Sequence, residues 1–268
     1  MVTKIEIKHY PFNKSGVEKL SVDSDIDTIN WASSWPTIYI LSNKKEVYVG
    51  ESYKVKNRIE QHLQNKAREA LQKIHILIDK EANKSYTLDT ESFLIRYMAV
   101  DGTFTLQNGN HGLVNYDYYN KKLYHQKFRE NVWPKLKELQ LVSKNLQEIE
   151  NSDLFKFSPY TSLSPNQYDI IDAILSLFNS YMAPEKGNIV IEGLPGTGKS
   201  LLGVYLMKLL TLSSADFEDS DVETKFTAIQ KYIKKIGLVI PQSALRDTLK
   251  KVFKGIPGLS QSMILSPH

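Results

Sequence analysis

The chain has 268 residues, and its 34 Lys and Arg against 30 Asp and Glu leave a net charge of +4, too small by itself to mark a polyanion-binding protein. The absence of cysteine excludes disulfides and cysteine metal sites and fits a reducing, cytoplasmic setting. No apolar run reaches the roughly 18 residues of a membrane span, the first residues lack the apolar core of a secretion signal, and the length suits two domains.

Residues 3–9 alternate and predict a strand, and residues 10–30 read as loop and turns. Trp31 and Trp35 then read as packing residues. TIYIL (37–41) and EVYVG (46–50), joined by SNKK, predict a β-hairpin. After Gly50 the apolar spacing becomes helical through Val55, Ile59 and Leu63, predicting a helix over 54–65. Arg58 and His62 lie four apart on one face of it, so Tyr39, Tyr48, Arg58 and His62 converge where hairpin meets helix. KIHILID (73–79) predicts a third strand, with His75 packed in it. Residues 85–100 predict a helix capped by Asp89 or Thr90, with Glu91 in its first turn, and TLQNGN (105–110) a strand end and turn. Over 116–137 six Lys and Arg interleave with six aromatics, a pattern that suits a nucleic-acid groove and equally a solvated helix with an aromatic packing face. The pattern loosens from 142 to 163, which divides the chain into a first domain at 1–142, a linker at 143–163 and a second domain at 164–268.

The first domain resembles the GIY-YIG nucleases. Ile38 and Tyr39 match the second and third letters of the first motif, Tyr48-Val49-Gly50 the second with Val for Ile, and Arg58 with His62 the family's Arg-x-x-x-His helix. Thr37 stands where the first Gly usually is. The resemblance implies a small mixed α/β fold, a three-stranded antiparallel sheet with helices. It also implies a metal-binding glutamate on the helix after the third strand, here Glu91, and then an asparagine, here Asn108 with Asn110 as the alternative.

In the second domain, SPNQYDIIDAILSLF (164–178) opens with a Ser cap and Pro at the first helical position. NIVIE (188–192) reads as a buried strand, and Gly193-Leu-Pro-Gly196-Thr197-Gly198-Lys199-Ser200 fits the phosphate-cradling G-x-x-x-x-G-K-[ST] pattern before an apolar helix. That pattern assigns Lys199 to the β and γ phosphates of ATP and Ser200 to Mg²⁺. IGLVI (236–240) predicts a strand followed by a helix, and residues 225–254 hold eight Lys or Arg and one acid. This region is similar to superfamily 1 helicases of the Schlafen-like group, and Gln167 to their adenine-reading glutamine. No apolar run after Ser200 ends in the acid that ATP hydrolysis needs, so the second domain is expected to be a partial RecA-like P-loop domain.

The expectation is an α/β protein in which an endonuclease is coupled to an ATP-binding helicase-type module, a pairing that suits DNA repair or bacterial defence against phage. Cofactors would be Mg²⁺ or Mn²⁺, held by Glu91 and by Ser200, and ATP. Partners would be nucleic acid, DNA in preference to RNA, with no membrane, and either a second copy or a further helicase lobe. Tyr39 is the preferred general base and Tyr48 the runner-up. The rival reading is a module that binds nucleic acid without cutting it, attached to an ATP-dependent translocase or regulator.

Overall fold

The structure is a computed structural model that describes residues 5–23, 25–26, 29–108, 117–161, 163–180, 188–211, 233 and 235–267. It separates into two compact units, the first running to Glu150 and the second from Asn151 on.

The first unit is built on a five-stranded sheet. Its strands are β1 (Glu6–Pro11), β4 (Thr37–Ser42), β5 (Glu46–Ser52), β6 (Lys73–Ile78) and β7 (Thr105–Leu106), in the order β1-β6-β4-β5-β7. The three expected antiparallel strands are its centre, β6-β4-β5. The expectation of a three-stranded antiparallel sheet is corrected at both edges: β1 adds antiparallel to β6, and β7 adds parallel to β5, so the sheet is mixed. Alternation along β4 and β5 sends Tyr39, Leu41 and Tyr48 into one cluster with Val55 and Ile59 of helix α2 (Val55–Gln64).

Residues 10–30 are not loop. Helix α1 (Lys14–Val22) occupies the middle, started by Asn13, whose side chain accepts from Gly16 N–H, and β2 (Asp25–Ile26) pairs with β3 (Ile29–Asn30). Only Gly16, Val17 and Leu20 of α1 are buried, so its apolar signal in the sequence is faint. Trp31 and Trp35 pack as expected, their indole N–H groups donating to the Asp23 and Asp79 carbonyls.

Helix α3 (Lys84–Asp101) begins earlier than expected. Its cap is Asn83, accepting from Tyr86 N–H, and not Asp89 or Thr90. Glu91 therefore stands beyond the first turn, too far in to complement the helix dipole.

The basic and aromatic stretch forms α4 (Lys121–Lys127), a π-helical turn (Phe128–Val132) and α5 (Trp133–Glu138). Pro134 has no N–H to offer the preceding turn, and the wider π turn just before it absorbs that loss. Phe128 and Trp133 pack on Tyr97, and Lys127, 1% exposed, binds Asp79 and Glu81 at 2.8 and 3.0 Å. Lys121 faces Asp117, Arg129 binds Glu150, Lys135 donates to the Ile5 carbonyl and Lys137 to Asn145. Tyr124, Phe128 and Trp133 thus form an aromatic packing face, while Tyr119 and Lys122 of the same stretch are exposed.

Two short helices, α6 (Leu146–Glu150) and α7 (Asp153–Lys156), lie in the stretch expected to be linker; α6 buries Leu146 and Ile149, and α7 buries none of its residues. The second unit contains α8 (Pro165–Ser180), α9 (Lys199–Leu209), β8 (Leu238–Val239), α10 (Ser243–Lys254) and β9 (Ile264–Leu265). Ile171, Leu175, Leu202, Tyr205 and Leu209 form the core between α8 and α9. β8 and β9 pair in parallel. The buried strand expected at 188–192 is not formed: these residues pair with no strand, and Val190 is 79% exposed. A strand apolar on both faces is buried only when sheet neighbours and covering helices exist, and none pairs with it among the described residues.

Candidate functional site

The hairpin and α2 bring three of the expected residues into ring contact. Tyr39 Oη and His62 Nε2 are hydrogen-bonded at 2.8 Å. The Tyr48 ring meets His62 edge-on at 4.8 Å between centroids, and Tyr39 and Tyr48 lie 6.2 Å apart. Both tyrosines are 1% exposed and His62 5%. Arg58, one turn before His62 on α2, is half-buried, and its guanidinium donates to Gln61 at 3.1 Å.

Gly50 is needed by this packing. It lies opposite Tyr39 in the ladder, and a Cβ there would come within 2.3 Å of Tyr39 Cζ and Oη. The hairpin's second motif thus ends in glycine so that the first motif's tyrosine can lie across it.

Glu91 sits on α3, 9% exposed. One turn earlier, Thr87 Oγ1 donates to Glu51 at 3.2 Å, and Lys84 pairs with the same carboxylate. These bonds dock the start of α3 on the end of β5, just after Gly50. Glu51 was not foreseen, since its partners come from an element that begins 33 positions later.

Asn108 is buried and clamps the backbone of Val49, between Tyr48 and Gly50. Its Oδ1 accepts from Val49 N–H at 2.9 Å and its Nδ2 donates to the Val49 carbonyl at 2.7 Å. The side chain thus braces the motif strand. Asn110, the alternative, lies outside the described residues.

In the second unit, Gly193–Ser200 forms an exposed loop that leads into α9. Gly196 and Gly198 have φ of 81° and 89°, in the left-handed region that favours glycine. Lys199 Nζ donates to the Gly193 and Leu194 carbonyls at 2.7 and 2.8 Å, and Thr197 Oγ1 donates to Leu194. Ser200 is exposed in the first turn of α9. Gln167 reaches this loop by donating to the Thr197 carbonyl at 3.1 Å. Its other amide atom accepts from Ser164 N–H while Ser164 Oγ accepts from Gln167 N–H, a reciprocal helix cap. Both ends of this amide are engaged by the protein.

Among the described residues, no three His, Asp or Glu side chains cluster as a metal site, and no helix is long and apolar enough to cross a membrane. Residues 36–94 match the family model described as the GIY-YIG catalytic domain. The matched segment holds β4, β5, α2, β6 and the first half of α3, and so contains Tyr39, Tyr48, Arg58, His62 and Glu91. Such a domain implies nuclease chemistry on a nucleic-acid substrate. No curated protein and no solved structure matches the chain.

Proposed function

We propose that the first unit is a metal-dependent endonuclease whose site comprises Tyr39, Tyr48, Arg58, His62 and Glu91. The observation that carries this is the Tyr39–Tyr48–His62 cluster, with Arg58 on the same helix, inside the matched segment. Glu91 offers a hard oxygen donor suited to Mg²⁺ or Mn²⁺, cations that keep several water ligands and need few protein groups. Bound there, the cation would polarise a phosphoryl oxygen and stabilise the departing one. Arg58 neutralises charge that develops on the scissile phosphate. His62 fixes the Tyr39 hydroxyl, and one of the tyrosines takes a proton from the attacking water. Asn108 acts by bracing Val49, which holds the neighbouring Tyr48 and Gly50 in register.

The second unit, in this reading, binds nucleotide phosphates on the Gly193–Ser200 loop. Supporting it are the left-handed Gly196 and Gly198 and the helix N-terminus behind them. Gly196, Thr197 and Gly198 offer backbone N–H groups, Lys199 a charge and Ser200 a hydroxyl for a nucleotide-bound Mg²⁺. A helicase-type role coupled to cleavage, a cytoplasmic setting and a preference for DNA are part of the proposal.

The test is incubation with plasmid, single-stranded DNA and RNA, with and without Mg²⁺ or Mn²⁺, beside the Glu91→Gln variant. Metal-dependent cutting that is lost in Glu91→Gln is expected. Undiminished cutting by that variant at saturating metal would remove Glu91 from the site. Binding without cutting by the wild-type chain would favour the non-cleaving module.

A further inference from the structure

Arg68 ends the 3₁₀ turn Lys66–Arg68 that follows α2, and it is 5% exposed. A guanidinium does not lose its charge on burial, and a buried charge normally sits against a carboxylate. Among the described residues no carboxylate pairs with it. Its guanidinium carbon lies 4.1 Å from the centroid of the Tyr48 ring. Its Nη1 donates to Gln107, at 3.0 Å to Oε1 and 3.4 Å to the carbonyl, while its buried Nε has no hydrogen-bond partner.

The Gln107 contact is arranged by the sheet. Thr105 N–H and Gln107 N–H donate to the carbonyls of Lys45 and Val47, the parallel register of β7 on β5. Continued, that register would send Val49 N–H to the Gln107 carbonyl. The Asn108 side chain takes the Val49 N–H instead, and the Gln107 carbonyl turns to Arg68. Gln107 at the end of the β5–β7 pairing thus holds one cation against the face of Tyr48.

We propose that Arg68 is a positioning residue that favours the ionised form of Tyr48, so that Tyr48 serves as the base of the cleavage reaction. The proposal rests on the nuclease reading above. Tyr48 is 1% exposed, and burial of that degree opposes a phenolate unless a cation lies close. Arg68 supplies that cation without a competing anion. His62 of α2 and Tyr39 of β4 are titratable groups in ring contact with Tyr48, and Arg58 and Glu91 are charged groups of the proposed site. In the step, the Tyr48 phenolate accepts a proton from water as the water oxygen bonds to phosphorus. The phosphorus–oxygen ester bond breaks, its electron pair leaves with the departing oxygen, and solvent protonates that oxygen.

The experiment reads Tyr48 directly and then through catalysis. Tyrosinate absorbance is titrated in the wild-type chain, in Arg68→Met and in Arg68→Lys, each against its own Tyr48→Phe partner, with thermal melting to confirm folding. Tyr10, Tyr86, Tyr97, Tyr118 and Tyr205 are held above the ordinary range by burial, and subtracting each Tyr48→Phe partner removes the signal of the other tyrosines. Tyr48 is expected to ionise about one to three pH units higher in Arg68→Met, the size of effect a neighbouring opposite charge exerts, and Arg68→Lys to restore most of the difference. The pH profile of single-turnover cleavage is expected to move with it. Unchanged Tyr48 ionisation in a folded Arg68→Met chain overturns the proposal, as does a pH profile that stays put when Tyr48 moves. If the wild-type chain cuts nothing, the nuclease reading and the base role fall, and the titration still decides whether Arg68 acts on Tyr48.

Discussion

Tyr39 and Gly50 face each other across the central hairpin, and the tyrosine ring occupies the space that any Cβ on residue 50 would need. Gly50→Ala is therefore expected to displace Tyr39 from His62. A displacement near 1 Å can cost about 10²-fold in rate, and overpacking of this kind costs about 1–3 kcal/mol of stability. Cleavage rates and thermal melting of the variant check both, and wild-type cutting by Gly50→Ala would show that the Tyr39 position is not needed.

Arg58→Ala is expected to slow single-turnover cleavage by about 10²–10³, the usual loss for one electrostatic contact to a developing charge, with a smaller effect on substrate affinity. Affinity and rate measured side by side distinguish the roles. A fall in affinity with no change in the single-turnover rate would make Arg58 a phosphate clamp only.

His75 gives the first unit an acid limb. Its ring is buried between Ser42 and His9, at 2.9 and 2.8 Å. Burial first, then the neighbouring His9 and Lys73, push it from the ordinary 6.5 down to about 4. The unfolded chain thus takes up the proton at higher pH than the folded one. The stabilisation is present above pH 6.5 and drains as pH falls from 6.5 towards 4, amounting to roughly 3 kcal/mol. Urea unfolding across that range should show the slope, and His75→Gln should flatten it. An equal slope in the variant would assign the acid limb to carboxylates.

Lys127 is buried against Asp79 and Glu81, and Asp79 is itself 5% exposed. Lys127→Ala leaves Asp79 without its cation and is expected to cost about 3–5 kcal/mol. The melting temperature checks this. Lys127→Met combined with Asp79→Leu should lose less, and a double variant as unstable as Lys127→Ala would point to packing instead of charge.

The site's hairpin was legible in the sequence because alternation places Tyr39 and Tyr48 on one face, and that alternation survives in β4 and β5. The start of α3 was not. Thr87, Thr90 and Ser92 are buried beside Leu94 and Met98, so the helix shows little amphipathic contrast, and the cap at Asn83 precedes any apolar rhythm. NIVIE reads as a strand from its residue types, but a strand is a relation between segments, and Leu238–Val239 and Ile264–Leu265 pair with each other instead. Arg68 carried no signal at all. In a polar run it reads as a surface residue, and its partners Tyr48 and Gln107 lie far along the chain in both directions.

The Asn108 amide imitates a peptide group, and imitation has an end. A backbone residue that pairs with Val49 hands the pairing on to its neighbour, whereas a side chain that closes both bonds with one residue hands on nothing. The ladder between β5 and β7 is terminated from within, one residue before Gly50, and an incoming strand finds Val49 already taken. Asn108→Asp would keep the shape and lose the donor, so the Val49 carbonyl would face an oxygen. That single exchange of NH₂ for O would reopen the edge of the sheet at the point where its two tyrosine motifs meet.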